Sequence, residues 1–256
     1  MSTNERLIVF ITASAHFFTH FSMLAFPAMV MPMSRDLGLP ISQIMDLSFW
    51  MYFLYGVLAL GWGWISDKWG HKTALGAGLL VSGAGLILAG LTPSLLVLPY
   101  SFALVGAGCS AYHPAGTALV SQGVRERGRA LGIIGMWGNV GMALVPFLIG
   151  LFNVLIGWRG GLIVVGVVAI MLGISSWFAR YTVQKEGDEM KVEALDERTA
   201  KRLMIIFMGA LVFGGLLFRS FTLSLPAFLE TRLGDIQAMT KEALGAEGAG
   251  GATEGG

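Results

Sequence analysis

Three of the chain's four histidines, His16, His20 and His113, stand inside long runs that carry no Asp, Glu, Lys or Arg. An imidazole titrates near about pH 6.5 in water, so it can hold or pass a proton close to neutrality. It can equally ligate a metal or bridge two helices through hydrogen bonds. His16 and His20 are four residues apart and share one face of a helix with Thr12, Thr19 and Met23. In lipid such a polar stripe should face a bundle interior or a watery cavity. A direct substrate role and a structural role between helices stand side by side for the pair. No acidic third ligand lies near them in sequence, so cavity lining ranks ahead of metal binding and no metal is expected.

A second stripe runs through Gly106, Ser110, His113, Thr117 and Ser121. Pro114 cannot donate to the Ser110 carbonyl, which leaves that oxygen free near His113. A substrate contact or gate is the favoured reading over a packing kink, because ionisable groups at membrane depth are rare. Farther on, Gly135, Asn139, Met142 and Pro146 share a face where close helix packing is the first reading and a ligand contact by Asn139 the second. Arg219 lies about 24 Å along a helix entered at Leu203, toward its far side, and either snorkels to the surface or contacts an anion in a cavity. No Asp or Glu lies deep in any span, so His16, His20 and His113 are the candidate proton carriers.

The elements that must position these residues follow from composition. Of 256 residues, 55% are hydrophobic and 13% charged, about half the charge of a soluble domain. Glycine, at 36 residues, is about twice its usual share, and membrane helices use it for close approach. The lone Cys109 rules out an internal disulfide framework, and a net charge of +1 without basic blocks argues against nucleic-acid binding. A soluble enzyme is excluded, and no paired carboxylates or Ser-His-acid set at membrane depth suggests a membrane enzyme. Charge-free runs place helices near 7–30, 48–66, 74–91, 95–121, 130–153, 161–179 and 203–229. With the N-terminus inside, 12 of the 17 Lys and Arg residues fall on the inner side and 4 outside, with Arg219 in the seventh span. That bias predicts a cytoplasmic N-terminus.

The loop between the second and third spans reads Gly63-Trp64-Ile65-Ser66-Asp67-Lys68-Trp69-Gly70-His71-Lys72. It resembles the signature loop of the major facilitator superfamily, with His71 where a basic Arg or Lys is usual. In this reading Gly63 allows close helix approach, Gly70 a tight turn, and Asp67 pairs with basic groups or caps a helix. Arg127-Gly128-Arg129-Ala130-Leu131-Gly132, the Gly- and Pro-rich fifth span, and Gly157-Trp158-Arg159 before the sixth are similar to the same family. Ala15-His16, His20 and the run Gly106 to Pro114 resemble its fosmidomycin-resistance-type efflux branch, which typically has an acidic residue near the place of His20.

These readings together predict an all-α polytopic membrane bundle of the major facilitator type. Residues 1–180 form six helices, 181–202 a cytoplasmic linker, 203–230 the first helix of a second bundle, and 231–256 an outer loop or flexible tail. The resemblance implies a C-terminally truncated transporter of twelve helices, exporting small organic compounds or drugs by proton-coupled alternating access. Its partners would be a small-molecule substrate, protons and the lipid bilayer of a bacterial inner membrane, with no cofactor and no nucleic acid. The alternative is a seven-span membrane sensor or scaffold.

Overall fold

A computed structural model describes residues 1–181, 196–206, 209, 210, 213, 214 and 217. The chain divides into two compact units, Met1–Glu186 and Gly187–Gly256. The first is built from α1 (Thr3–Leu37), α2 (Ile41–Asp46), α3 (Phe49–Trp69), α4 (His71–Leu91), α5 (Leu98–Cys109), α6 (Tyr112–Gly123) and α7 (Arg127–Phe178). No strand occurs among the described residues.

Among the described residues, four stretches are long and apolar enough by themselves to cross a membrane: Thr3–Leu37, Ile41–Trp69, His71–Leu91 and Arg127–Phe178. α7 holds two passes in its 52 residues, because it breaks at Gly157, whose φ of 71° and ψ of 166° are not helical. Neighbours at three points show that the chain reverses there. Glu126, before α7, meets the Met1 ammonium, and Ala179, after it, accepts from Lys72 at the start of α4. Trp158, in the middle, instead donates to Asp36 at the far end of α1. α5 and α6 together supply the remaining pass, so the unit crosses six times.

The helices overrun the charge-free segments because caps, not charges, end them. α1 starts at Thr3, where Ser2 and Glu5 form a reciprocal capping box, and stops at Gly38 with φ 66°. It keeps Pro27 and Pro32 inside its 35 residues. The expected single helix over 95–121 is corrected: Ser110 and Ala111 separate α5 from α6. Pro114 lies in the first turn of α6, where a missing N–H costs least, so the chain breaks just before it. In the second unit, residues 197–206 are helical, with Asp196 accepting from the Thr199 N–H at 3.3 Å. That helix starts ahead of the expected 203, inside the stretch read as linker. Most of the linker, Arg219 and the 231–256 tail lie outside the described residues.

Packing in the first unit centres on α4. Its glycines at 76, 83 and 90 face α7, and those at 78 and 85 face α5. A Cβ on Gly83 would come 2.7 Å from the Gly166 carbonyl oxygen, and one on Gly166 the same distance from that of Gly83. Gly85 lies as close to the Ser101 carbonyl, and Gly106 of α5 rides directly on the backbone of Met51 in α3. Without a hydrophobic drive between helices in lipid, such backbone contact supplies the attraction. Two cores result: one around Ile8, Leu75, Tyr112 and Leu119, the other around Phe26, Met29, Phe102 and Trp158. Large apolar side chains such as Leu60, Leu96, Phe147 and Val154 point outward, each more than 70% exposed.

Both ends of the bundle are pinned by polar contacts. At the N-terminal end the Glu5 carboxylate accepts from the Arg125 N–H at 2.8 Å, and Glu126 lies 2.8 Å from the Met1 ammonium. The Arg125 amide, then the cap at Ser2, holds Glu5 below its ordinary value of 4.5. The Met1 ammonium and then Arg129 do the same for Glu126. At the opposite end Trp158 donates to Asp36 at 3.0 Å, while Arg159 lies 4.0 Å from Asp36 and donates to the Thr92 carbonyl.

Two predictions come from this packing. Gly106→Val should destabilise the detergent-solubilised protein by about 1–3 kcal/mol or prevent folding, as overpacking does. Gly135→Ala should melt within a few degrees of wild type, because no atom lies within 4 Å of the added Cβ. Equal melting temperatures for the two variants would contradict the assignment of close contacts. Separately, a lowered carboxylate value stabilises the fold above the ordinary value and loses that contribution as pH falls through the lowered one. Glu5→Gln should therefore melt earlier than wild type at pH 7, with the gap closing below pH 4.5. A gap that persists in acid would show that the carboxylate charge is not what holds the end.

Candidate histidine site

His16 and His20 lie between the two cores, 13 and 17 residues into the 35-residue α1. The His16 ring stacks face to face on Tyr112 of α6, with centroids 4.5 Å apart and planes at 8°. Its Nδ1 lies 2.8 Å from the Ile134 carbonyl of α7. Gly138, one turn farther along α7, makes room for it: a Cβ there would sit 2.5 Å from the imidazole Cε1. Three helices thus fix one ring.

That contact sets the proton order. A carbonyl only accepts, so His16 Nδ1 carries the hydrogen and a neutral His16 keeps its lone pair on Nε2. His20 Nε2 lies 2.8 Å from that atom and must be the donor. The tautomers are thereby assigned from the hydrogen-bond network. The neutral pair is thus one donor and one acceptor, and its bond lasts as long as His16 Nε2 keeps its lone pair. A proton on that atom would place N–H against N–H and break it.

His113 completes the group. Its ring centroid is 5.6 Å from that of His16 and 5.8 Å from that of His20. Its Nε2 lies 3.1 Å from the Tyr55 hydroxyl of α3. All three histidines can offer a ligand atom within 4.8 Å of one another. His16 and His20 are half-buried and His113 is exposed on the surface of the unit. His113 comes from the first turn of α6, next to Tyr112, which stacks on His16. Tyr112 and Tyr55 make ring contacts with the cluster, and the Cys109 thiol lies behind it against the Thr19 carbonyl.

Other expected site residues separate from this cluster. Thr12 is buried and turns back onto the Ile8 and Val9 carbonyls, and Thr19 is buried too, so the stripe on α1 narrows to the two histidines. Asn139 is exposed and lines an open groove with Gly132, Gly135 and Met136. The glycines of α7 that pack closely are Gly138 and Gly141, against His16 and Phe17, whereas Gly135 faces open space. In the loop, Gly70 adopts φ 92° and joins α3 directly to α4, as a tight turn requires. Gly63 makes no close approach: a Cβ there would meet only Pro114, at 3.7 Å. Asp67 is exposed and caps no helix; α4 starts at Gly70 with no side-chain cap. Lys68 lies over the Trp64 ring, Ser66 pairs with His71 Nδ1 at 2.6 Å, and Lys72 donates to Ala179.

Sequence reasoning passed over Tyr55, Tyr112 and the placement role of Gly138. A hydroxyl-bearing aromatic in an apolar span was the available signal, since it must find a partner there. Chemical modification reads the arrangement directly. Diethyl pyrocarbonate should label exposed His113 first and His16, stacked and bonded, last; Gly138→Ala should raise the His16 rate severalfold. Peptide mass spectrometry showing His16 labelled as fast as His113 in the native protein would contradict this packing.

Comparison with known proteins places the whole arrangement. The Major Facilitator Superfamily description matches residues 9–243. The MFS-type transporter YfnC of Bacillus subtilis is 27% identical over 193 residues, 72% of this chain and 47% of that protein. The "Probable L-galactonate transporter" of Escherichia coli is 26% identical over 161 residues, 62% of this chain and 35% of that one. The chain therefore spans less than half the length of these relatives. A bacterial homologue of the human lysosomal transporter Spinster, in an inward-facing and occupied conformation, superposes with a TM-score of 0.63 at 15% identity, covering 75% of this chain and 48% of that one. At that identity the likeness shows the fold alone. Family match, six-pass helical unit and apolar exterior agree: this integral membrane protein belongs to the major facilitator superfamily.

Proposed function

We propose that this chain is part of a proton-coupled secondary transporter of small organic anions, with His16, His20 and His113 as the proton-handling contact. The observation that carries the reading is the 2.8 Å His20–His16 pair, two imidazoles joined nitrogen to nitrogen with His113 beside them. No Asp or Glu stands at membrane depth to favour a cationic cargo, so a protonated cluster is positive and attracts a carboxylate. A relative described as a probable transporter of L-galactonate, a sugar acid, supports that cargo class. The resemblance of the first and fourth spans to the fosmidomycin-resistance-type branch speaks for drug export instead. The cluster's charge favours anion and proton moving together, and we adopt that reading.

The complete transporter alternates access by rocking two bundles around a midplane site, and the first unit supplies one wall. Its N-terminus faces the cytoplasm of a bacterial inner membrane, a placement supported by the 12 to 4 bias of Lys and Arg. Asp67, Lys68, Gly70, His71 and Lys72 then lie at the cytoplasmic end, where this loop gates the cavity. Asn139 and Arg219 complete the set of residues offered to the pathway.

Vesicles from cells expressing the complete transporter test the reading with a panel of radiolabelled small organic acids that includes L-galactonate. Uptake of at least one acid should follow an imposed inward proton gradient and vanish when the gradient is collapsed. A His16→Ala, His113→Ala double variant should lose it. Uptake that persists unchanged in that variant, or a panel that moves no faster with the gradient than without it, would refute the proposal. An acid that binds but never crosses would favour the sensor.

A further inference from the structure

The geometry points to a transition-metal site: we infer that His16, His20 and His113 bind a single divalent ion of the Zn²⁺, Co²⁺ or Ni²⁺ type. In sequence, metal binding ranks behind cavity lining because no acidic third ligand lies near the α1 pair. The fold supplies a third ligand, His113, from α6, with the three donor atoms within 4.8 Å of one another. The inference does not depend on the cargo or on transport.

Three features favour an ion over a purely structural cluster. First, the donor set is all imidazole, which suits zinc, cobalt, nickel and copper and does not suit Mg²⁺ or Ca²⁺. Second, the ligands have the outer partners that metal-binding histidines use. His16 directs Nδ1 to the Ile134 carbonyl and turns its Nε2 lone pair toward the group, and His113 is held by the Tyr55 hydroxyl. Third, three histidines leave one of four tetrahedral positions open, and the exposure of His113 gives that position access from the surface of the unit.

Two adjustments are required: donor atoms up to 4.8 Å apart must close by as much as about 1.4 Å, and the closest pair must open. Two Zn–N bonds of about 2.0–2.1 Å at a tetrahedral angle hold their nitrogens roughly 3.4 Å apart. The His16 and His20 Nε2 atoms stand at 2.8 Å, so the ion must part them by about half an ångström. The hydrogen His20 donates to His16 leaves as the ion enters, or moves to His20 Nδ1, because each ligating nitrogen needs its lone pair. Since α1 and α6 both contribute, a bound ion ties the two helices together.

Titration of the detergent-solubilised full chain, purified through a histidine-free tag, tests the site. Zn²⁺ binding followed by calorimetry should give one site, and Co²⁺ should give the visible absorption of a tetrahedral ion. His16→Ala, His20→Ala and His113→Ala should each weaken Zn²⁺ by roughly a hundredfold or more, and Tyr55→Phe by about tenfold. His71→Ala, the fourth histidine, should keep the ion. A Zn²⁺-dependent rise in melting temperature, present in wild type and absent in His113→Ala, separates site loss from misfolding, because exposed His113 is not needed for the core. Absence of saturable binding, or binding as tight as wild type in any of the three triad variants, overturns the inference. Either result leaves proton-coupled uptake to stand or fall by itself.

Discussion

Hydrocarbon offers no hydrogen bonds, so every polar group in the membrane-spanning part of this chain must be satisfied by the protein itself. The helices answer that demand for the backbone, and short side chains answer it by folding back: Thr12 onto Ile8, Ser82 onto Leu79, Ser101 onto Val97, Ser176 onto Gly173. An imidazole is too large to do this. Each histidine in the spans therefore needs a partner from another helix or from another histidine. His16 takes the Ile134 carbonyl, His20 takes His16, and His113 takes Tyr55. The cluster is what this rule produces when three imidazoles enter a bundle without a carboxylate.

The same rule applies around the turn between α5 and α6, beside which the cluster sits. α5 is clamped, with Gly106 on Met51 and Gly108 on the backbone of α4 between Gly78 and Ser82. α6 follows a two-residue turn at Ser110 and Ala111, whose dihedrals stay in the right-handed helical region, and it carries Tyr112 inward and His113 outward. Two carbonyls near this turn are taken by side chains: Ala107 accepts from both Ser110 Oγ and Trp62 Nε1, and His113 accepts from Thr117.

Much of this was legible in the residues. The charge-free runs and the loop from Gly63 to Lys72 are enough for an all-helical bundle of this family, because membrane depth and positive-inside bias act on composition alone. Histidines four apart on α1 had to share a face. The joining of His113 to them was not legible, since it depends on how α6 lies against α1. Helix ends were also missed: Ser2, Gly38 and Asp196 set them by capping, while the charge-free runs mark only where hydrocarbon begins. One signal was available and unused. Glycines 76, 83 and 90, and again 78 and 85, recur every seven residues in α4, and they mark the two faces that touch α7 and α5. Arg219 lies outside the described residues, so its place in any cavity rests on the sequence.

The central claim is that solute binding and protonation of the histidine cluster are one event. Proton exchange on binding, followed with an indicator dye in weakly buffered, purified transporter near pH 7, tests it most directly. The account predicts that an organic acid which the protein transports draws about one proton from solution per molecule bound, and that His20→Ala and His113→Ala abolish the uptake. Binding of the same acid with no proton taken up, or with uptake unchanged in those variants, would contradict it.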